Sequence, residues 1–371
     1  MKVLFTTNIP SPYRVDFFNE LGKLCDLTVT FERKIADNRN KEWFHNKKVN
    51  FNRIFLNGIK FGPESAFCPE IIKIIKKNKF DIIIVGGYSS LTGMYLIRYL
   101  KKHKIKFILN CDGGKEKINE NKIVANIKKY FIGNASYWLS TGENTNMYLK
   151  YYGADEHRIY KYNFTSINKK DILKNVISEK EKKELRKKFG IDKKYVIISV
   201  GSFIHRKGMD ILIKSAKYIN DESEIIVVGG KPTEDYKKII TDMQIKNVRF
   251  MDFASKEKLK QYYMMSDIFV LATREDIWGL VINEAMANGL PIITTDKCIA
   301  GLELIENKKN GFIVETDNYN EIADKINELI NNPILRKKVS LDNLKKIKDY
   351  TIESMAKQHI EIFNKIIEEK E

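Results

Sequence analysis

Two carboxylates and a glycine turn form the stretch of this chain whose residue types most suggest chemistry. In DIWGLVINEAMANGLP, residues 276–291, Asp276 and Glu284 bracket a turn at Gly279 and a helix-forming segment, with apolar runs at 268–271 and 291–293 on either side. A helix beginning near Trp278 raises Glu284 about 9 Å along its axis, close to the length of a pyrophosphate with a sugar at either end. One acid can then hold each sugar. Between them, the first-turn N–H groups around Gly279 and Leu280 have no intrahelical partner and present positive potential to an anion. The layout suits an activated, diphosphate-linked sugar.

A second chemical loop lies upstream. The apolar run YVIISVG, residues 195–201, leads into SFIHRKGMDILIKSAKYI, where Arg206 and Lys207 precede Gly208 and a helical pattern turns Ile211, Leu212 and Ala216 inward. Two cations on a loop beyond a strand, with a glycine that admits a phosphate, make a charge-assisted anion clamp. The plain alternative is a pair of solvated cations.

These segments resemble the retaining family 4 glycosyltransferases, two-domain GT-B enzymes that use activated sugars. The likeness runs from about Tyr195 to Val314 and centres on the E-x7-E segment of that family, matched by Asp276 and Glu284. The resemblance implies that Glu284 holds the nucleotide ribose and that Asp276 reaches donor-sugar hydroxyls. Asp276 stands where Glu is usual, and Glu275 beside it is the other candidate for the first acid. The family's Lys-Gly pair is matched by Lys207 and Gly208, whereas its frequent Gly-Arg is Gly201-Ser202 here, so Arg206 is expected to supply the missing charge. Phe253 and Ala254, with Asp252, fall where the family's backbone holds the nucleobase. Ile277, Trp278, Gly279 and Leu280 line the donor side, and Cys298–Gly301 stands for the small-residue loop near it.

Positioning such groups requires strand ends facing one way. Lys2–Thr7 is a β-rich run ending in Asn8-Ile9-Pro10-Ser11-Pro12, and a helical pattern with Phe17, Phe18 and Leu21 follows. Ligands of doubly wound domains meet the carboxyl ends of strands, so Tyr13 and Arg14 are acceptor-side candidates, with a surface charge at a helix start as the alternative for Arg14. No GxGxxG is present, so a dinucleotide site is not indicated. Further strands are expected at 26–31, 53–56, 81–85, 106–109, 137–140 and 158–162, with helices between several of them, which implies a parallel sheet covered on both faces. Asp112, in an Asp-Gly-Gly turn beyond the strand ending in Leu109, is a third acceptor-side candidate, able to orient or deprotonate a hydroxyl. An ordinary turn-forming Asp-Gly is the competing reading.

The segment NKKDILKNVISEKEKKELRKKFGIDKK reads as a connecting loop and a solvated helix. The expected fold is α/β: two doubly wound Rossmann-like domains facing a central cleft. Residues 1–167 form the acceptor-binding domain, 168–350 the nucleotide-sugar domain, and 351–371 a helix returning to the first domain with Met355 to Ile367 as the crossing piece. A hairpin-like turn is expected at Asn310-Gly311.

Composition narrows the partners. At 371 residues two cores are expected. No apolar run approaches the length of a spanning helix, and the N-terminal run is cut by Asn8 and Pro10, which points to the cytosol. Four scattered cysteines and five histidines without metal spacing suggest buried thiols, no metal and no cofactor. The net charge of +17 has three readings: nucleic acid, an anionic membrane, or a compositional bias that decorates solvated helices. Dispersed cations without aromatic platforms disfavour nucleic acid. Basic helical stretches at Glu70–Lys79, Leu96–Lys106 and Ile123–Phe131 favour the inner membrane face, where each Lys or Arg contributes roughly 1 kcal/mol. The expected activity is retaining transfer of a hexose or N-acetylhexosamine from a nucleoside diphosphate sugar, with uridine diphosphate as the base carrier, to a glycan hydroxyl, lipid-linked, in cell-surface polysaccharide synthesis. No DxD occurs, which agrees with metal-independent departure of the diphosphate. No nucleophile stands out, so front-face attack and double displacement both stay open. A nucleotide-sugar 2-epimerase and a non-catalytic basic scaffold are the rivals.

Overall fold

The computed structural model describes residues 1–35, 48–115 and 120–369. The chain divides into two compact units, Met1–Ser166 with Tyr350–Glu371, and Ile167–Asp349.

The first unit runs β1 (Lys2–Thr7), α1 (Pro12–Leu21), β2 (Asp26–Phe31), β3 (Asn52–Phe55), β4 (Ile59–Phe61), β5 (Ser65–Phe67), α2 (Ile71–Lys77), β6 (Ile82–Val85), α3 (Leu91–Lys102), β7 (Ile108–Cys111), α4 (Lys122–Ile132), β8 (Tyr137–Ser140), α5 (Glu143–Tyr151) and β9 (Ile159–Lys161). Its seven-stranded sheet has the order β3-β2-β1-β6-β7-β8-β9 with every pair parallel. Continuous apolar strands such as IIIV of β6 are buried throughout because helices cover both faces. The antiparallel pair β4 and β5, three residues each, is an addition that periodicity could not reveal at that length.

The second unit runs α6 (Glu179–Lys188), β10 (Tyr195–Val200), α7 (Met209–Ser215), β11 (Ser223–Val228), α8 (Glu234–Asp242), β12 (Val248–Met251), α9 (Lys256–Met265), β13 (Ile268–Leu271), α10 (Leu280–Ala287), β14 (Ile292–Thr295), α11 (Ile299–Leu304), β15 (Gly311–Val314), α12 (Tyr319–Asn331) and α13 (Pro333–Lys346). Its parallel sheet is ordered β12-β11-β10-β13-β14-β15. The last helix, α14 (Ile352–Glu368), belongs to the first unit and packs on α1, where His359 meets Phe17 at a ring separation of 4.7 Å.

In both sheets the strand order reverses beside the first strand of the unit, between β1 and β6 and between β10 and β13. Connections leaving such a pair diverge to opposite sides, and a crevice opens beyond the strands' carboxyl ends.

Three local expectations need correction. Residues 299–301 form the first turn of α11 rather than a loop. Asn310-Gly311 does not close a hairpin, because β15 runs parallel to β14. And α6 is not simply solvated: Lys182 and Arg186, one turn apart, are buried against the Asp267 carboxylate at 2.8 and 2.7 Å, and that carboxylate also accepts from the Val196 N–H at 2.8 Å. A buried acid at the foot of β13 needs both cations and the amide to offset its desolvation. The helix is held there by charge.

Candidate functional site

The crevice of the second unit is built by two loops that glycine allows to touch. Gly208 has φ 63°, and a Cβ there would lie 1.8 Å from the Ala272 carbonyl oxygen, so no other residue fits between the turn 205–207 and the end of β13. The Arg206 carbonyl accepts from the Arg274 N–H and the Thr273 hydroxyl, each at 2.8 Å. Arg274 clamps Asp210 at the start of α7 with two bonds of 2.9 and 2.6 Å and reaches Asp317 at 2.6 Å. The two loops therefore move as one piece.

On this support sit the charged groups. Lys207 Nζ is bonded to Asp276 Oδ2, and Arg206 Nη1 stands 3.7 Å from Asp276 Oδ1 while donating to the Glu275 carbonyl at 2.9 Å. Asp276 is buried, its N–H donating to the Lys297 carbonyl at 3.0 Å and its C=O accepting from Ile299 at 3.1 Å. Glu275 is exposed. Of the two candidates for the first acid, Asp276 is the one joined to the cations.

Helix α10 starts at Leu280, two residues later than expected, because Gly279 takes φ 98° and ψ 60° and cannot be its first turn. The Ile282 N–H, donating to the Gly279 carbonyl at 2.9 Å, opens the ladder, and the amides of Gly279, Leu280 and Val281 lie ahead of it. With that start, Glu284 is about 6 Å along the axis rather than 9. Its Oε2 accepts from the Tyr263 hydroxyl at 3.0 Å. Burial, and then the Glu284 charge, push the Tyr263 phenol well above its usual range, so it stays a donor.

The remaining donor-side candidates divide. Gly201 closely abuts the loop after β11, a Cβ on Gly229 falling 1.9 Å from its carbonyl oxygen. Ser202 is exposed. Phe253 is 72% exposed with its ring over Gly230, and Ala254 is half-buried beside it. Ile277 is exposed, and Leu280 is half-buried at the first position of α10. Trp278 is committed to the fold: its buried indole donates to Asn283 at 3.0 Å, and its carbonyl accepts from the Ala300 N–H at 2.8 Å and the Cys298 thiol at 3.3 Å. Burial, with Asp276 nearby, pushes that thiol up to about 12, so Cys298 is no nucleophile.

In the first unit, Arg14 and Asp112 meet at the ends of β1 and β7. Arg14 is only 4% exposed, which removes the surface-charge reading, and its Nη2 is bonded to Asp112 Oδ2. Asp112 Oδ1 accepts from Asn110 at 2.7 Å and from the Tyr162 hydroxyl at 3.1 Å. Both carboxylate oxygens are thus engaged, which suits orientation of a hydroxyl better than removal of its proton. Tyr13 is half-buried, its ring edge-on to Phe164 at 5.9 Å, and burial raises its phenol.

Sequence reasoning missed the supports: Thr273, Arg274 and Asp210 under the cations, Tyr263 under Glu284, and Asn110 and Tyr162 under Asp112. Asn110 lies two residues from its partner. The others bond across 21 to 68 residues of chain, and nothing local marks them.

Residues 181–345 match the family model of glycosyl transferases group 1. An uncharacterized glycosyltransferase of Haemophilus influenzae is 34% identical over 168 residues, 44% of this chain and 47% of that protein, so the match spans about half its length. The N,N'-diacetylbacillosaminyl-diphospho-undecaprenol alpha-1,3-N-acetylgalactosaminyltransferase of Campylobacter jejuni is 24% identical over 307 residues, 80% of each chain. Anabaena HepE, solved in complex with UDP, superposes with a TM-score of 0.79 over 98% of this chain and 100% of its own at 17% identity, a likeness of fold. Residues 181–345 are thus similar to group 1 glycosyl transferases, in a chain whose two parallel-sheet units have the GT-B fold.

Proposed function

We propose that the chain transfers a hexose or N-acetylhexosamine, with retention at the anomeric carbon, from a uridine diphosphate sugar to a hydroxyl of a lipid-linked glycan at the inner face of the cell membrane, in the synthesis of a cell-surface polysaccharide. The observation that carries this reading is the cluster of Arg206, Lys207 and Asp276 at the switch point of the second sheet, with the unladdered amides of α10 on the same strand's connection. Cations and amide dipoles preorganised around a diphosphate favour the charge that develops on its departing oxygen.

The step breaks the bond between the anomeric carbon and the β-phosphate oxygen, the electron pair going to the diphosphate. The acceptor oxygen bonds to the same face of that carbon, and its proton passes to the departing phosphate oxygen. Arg206 and Lys207 stabilise the leaving diphosphate, Asp276 orients sugar hydroxyls, and Glu284, fixed by Tyr263, receives the ribose. Lys207 and the α10 amides supply the positive charge in this account, and no metal is invoked. Arg14 and Asp112 orient the acceptor.

The acceptor class draws support from two relatives: the Campylobacter enzyme, whose name specifies a diphospho-undecaprenol substrate, and a Staphylococcus aureus capsular polysaccharide biosynthesis glycosyltransferase, 29% identical over 230 residues and 59% of this chain. The test is a thermal-shift panel of uridine, guanosine and adenosine diphosphate sugars. Transfer by the stabilising donor to a polyprenyl-diphosphate glycan follows, with the anomeric configuration of the product read by NMR. Stabilisation by a uridine donor and a retained configuration are expected. An inverted product, an epimer formed from donor alone, or no stabilisation by any of the donors overturns the proposal.

A further inference from the structure

Helix α4 is amphipathic, yet it turns its apolar side away from the protein. Ala125, Lys128 and Ile132 along one face, with Phe131 buried in the last turn, are the residues that seat it, and Lys128 Nζ is bonded to the Glu120 carboxylate at 2.5 Å. On the opposite face Ile123, Ile127 and Tyr130 recur at i, i+4 and i+7 with Val124 beside them, and all four are exposed, Ile123 by 70%. An apolar stripe of this kind, on a helix whose periodicity would ordinarily bury it, marks a surface that something else covers.

The surroundings give the chemistry of that partner. Lys101, at the end of α3, lies over the Tyr130 ring at 4.6 Å, and Lys102 and Lys104, which follow it in the chain, are exposed. Lys122 and Lys129 flank it on α4 itself, Lys129 Nζ standing 5.9 Å from the Tyr151 ring. The acid at the foot of the helix, Glu120, is occupied by Lys128 and by the Tyr152 hydroxyl at 2.5 Å. An outward apolar face rimmed by long, snorkelling lysines complements an anionic lipid headgroup layer over a hydrocarbon boundary. Among the described residues no helix is long and apolar enough to cross a membrane, so contact by such a surface is lateral.

We propose that α4, with the lysines at the end of α3, lies in the headgroup layer of an anionic membrane and brings the first unit to its lipid surface. This deepens the reading of a lipid-linked acceptor, but the docking surface is argued from the first unit alone.

Full-length protein is floated with phosphatidylglycerol-containing and with purely phosphatidylcholine vesicles, alongside Ile123→Ser/Ile127→Ser and Lys122→Gln/Lys129→Gln variants. Uridine diphosphate binding is measured on the same samples. The protein is expected to float with the anionic vesicles only, and each double variant to bind them at least about tenfold more weakly, with nucleotide binding unchanged. Equal flotation of wild type and serine variant overturns the proposal, as does no flotation of the wild type. Concentration-dependent self-association that the serine variant abolishes, without vesicle binding, also overturns it and assigns the face to a second copy. Both serine sites are exposed, so the variants are expected to keep the melting temperature of the wild type, which checks that they fold. Loss of nucleotide binding by wild type, with flotation intact, would instead count against the transferase reading alone.

Discussion

Lys207 Nζ is bonded to Asp276 Oδ2, joining the loop after β10 to the loop after β13 across the switch point of the second sheet. Both side chains are largely buried, with relative exposures of 17% and 10%. The lysine therefore has two tasks: it fixes the acid and it places positive charge where a diphosphate would rest. Separating them experimentally requires variants at both ends of the pair.

Replacing Lys207 by Ala should lower turnover at least about a hundredfold, the cost of losing a preorganised group that meets a developing oxyanion. Asp276→Asn keeps the shape of the acid and should lose less turnover while raising the KM for donor. Steady-state kinetics on folded protein decide it, and near-normal turnover of the Lys207 variant would remove the lysine from the chemistry.

Glu284→Gln should weaken uridine diphosphate binding by about tenfold or more, since a charge-assisted hydrogen bond becomes a neutral one. The amide oxygen still accepts from Tyr263, so the melting temperature should change little. Calorimetric titration showing unaltered affinity would free Glu284 of its role.

Asp267→Ala leaves Lys182 and Arg186 buried without their partner. Removing one member of such a group costs about 3–5 kcal/mol, to be read from the urea midpoint. A change below about 1 kcal/mol would mean the cations relax into solvent.

His359 is fully buried, its Nδ1 sits 2.8 Å from the Met355 carbonyl oxygen, and burial lowers its pKa from 6.5 to about 4. The folded ring thus resists the proton that the unfolded chain accepts. The stability it contributes is complete above pH 6.5 and is lost as pH falls toward 4. The free energy of unfolding across that range should drop by at most about 1.4 kcal/mol per pH unit from this group. His359→Gln should flatten the acid limb; an identical slope in the variant would assign it to carboxylates instead.

Legibility followed the range of the interactions. The strand runs could be read because parallel strands covered on both faces are continuous in Ile, Val and Phe, as in YVIISV of β10. The site loops could be read because their charges cluster within a few residues, HRKG at 205–208 and EDIWG at 275–279. The hairpin β4–β5 could not, being three residues a side. Nor could the start of α10, where one left-handed glycine set the boundary.

By itself the sequence determined two α/β units, a cation loop and an acid-flanked helix start, because these depend on neighbours in the chain. Only the tertiary structure decided that Asp276 rather than Glu275 meets Lys207, that Arg14 is buried on Asp112, that the charged helix α6 is pinned by Asp267, and that α4 faces outward. Each of these is set by burial and by partners tens of residues away, and the energy of a charge or an apolar face depends on what surrounds it once the sheets have formed.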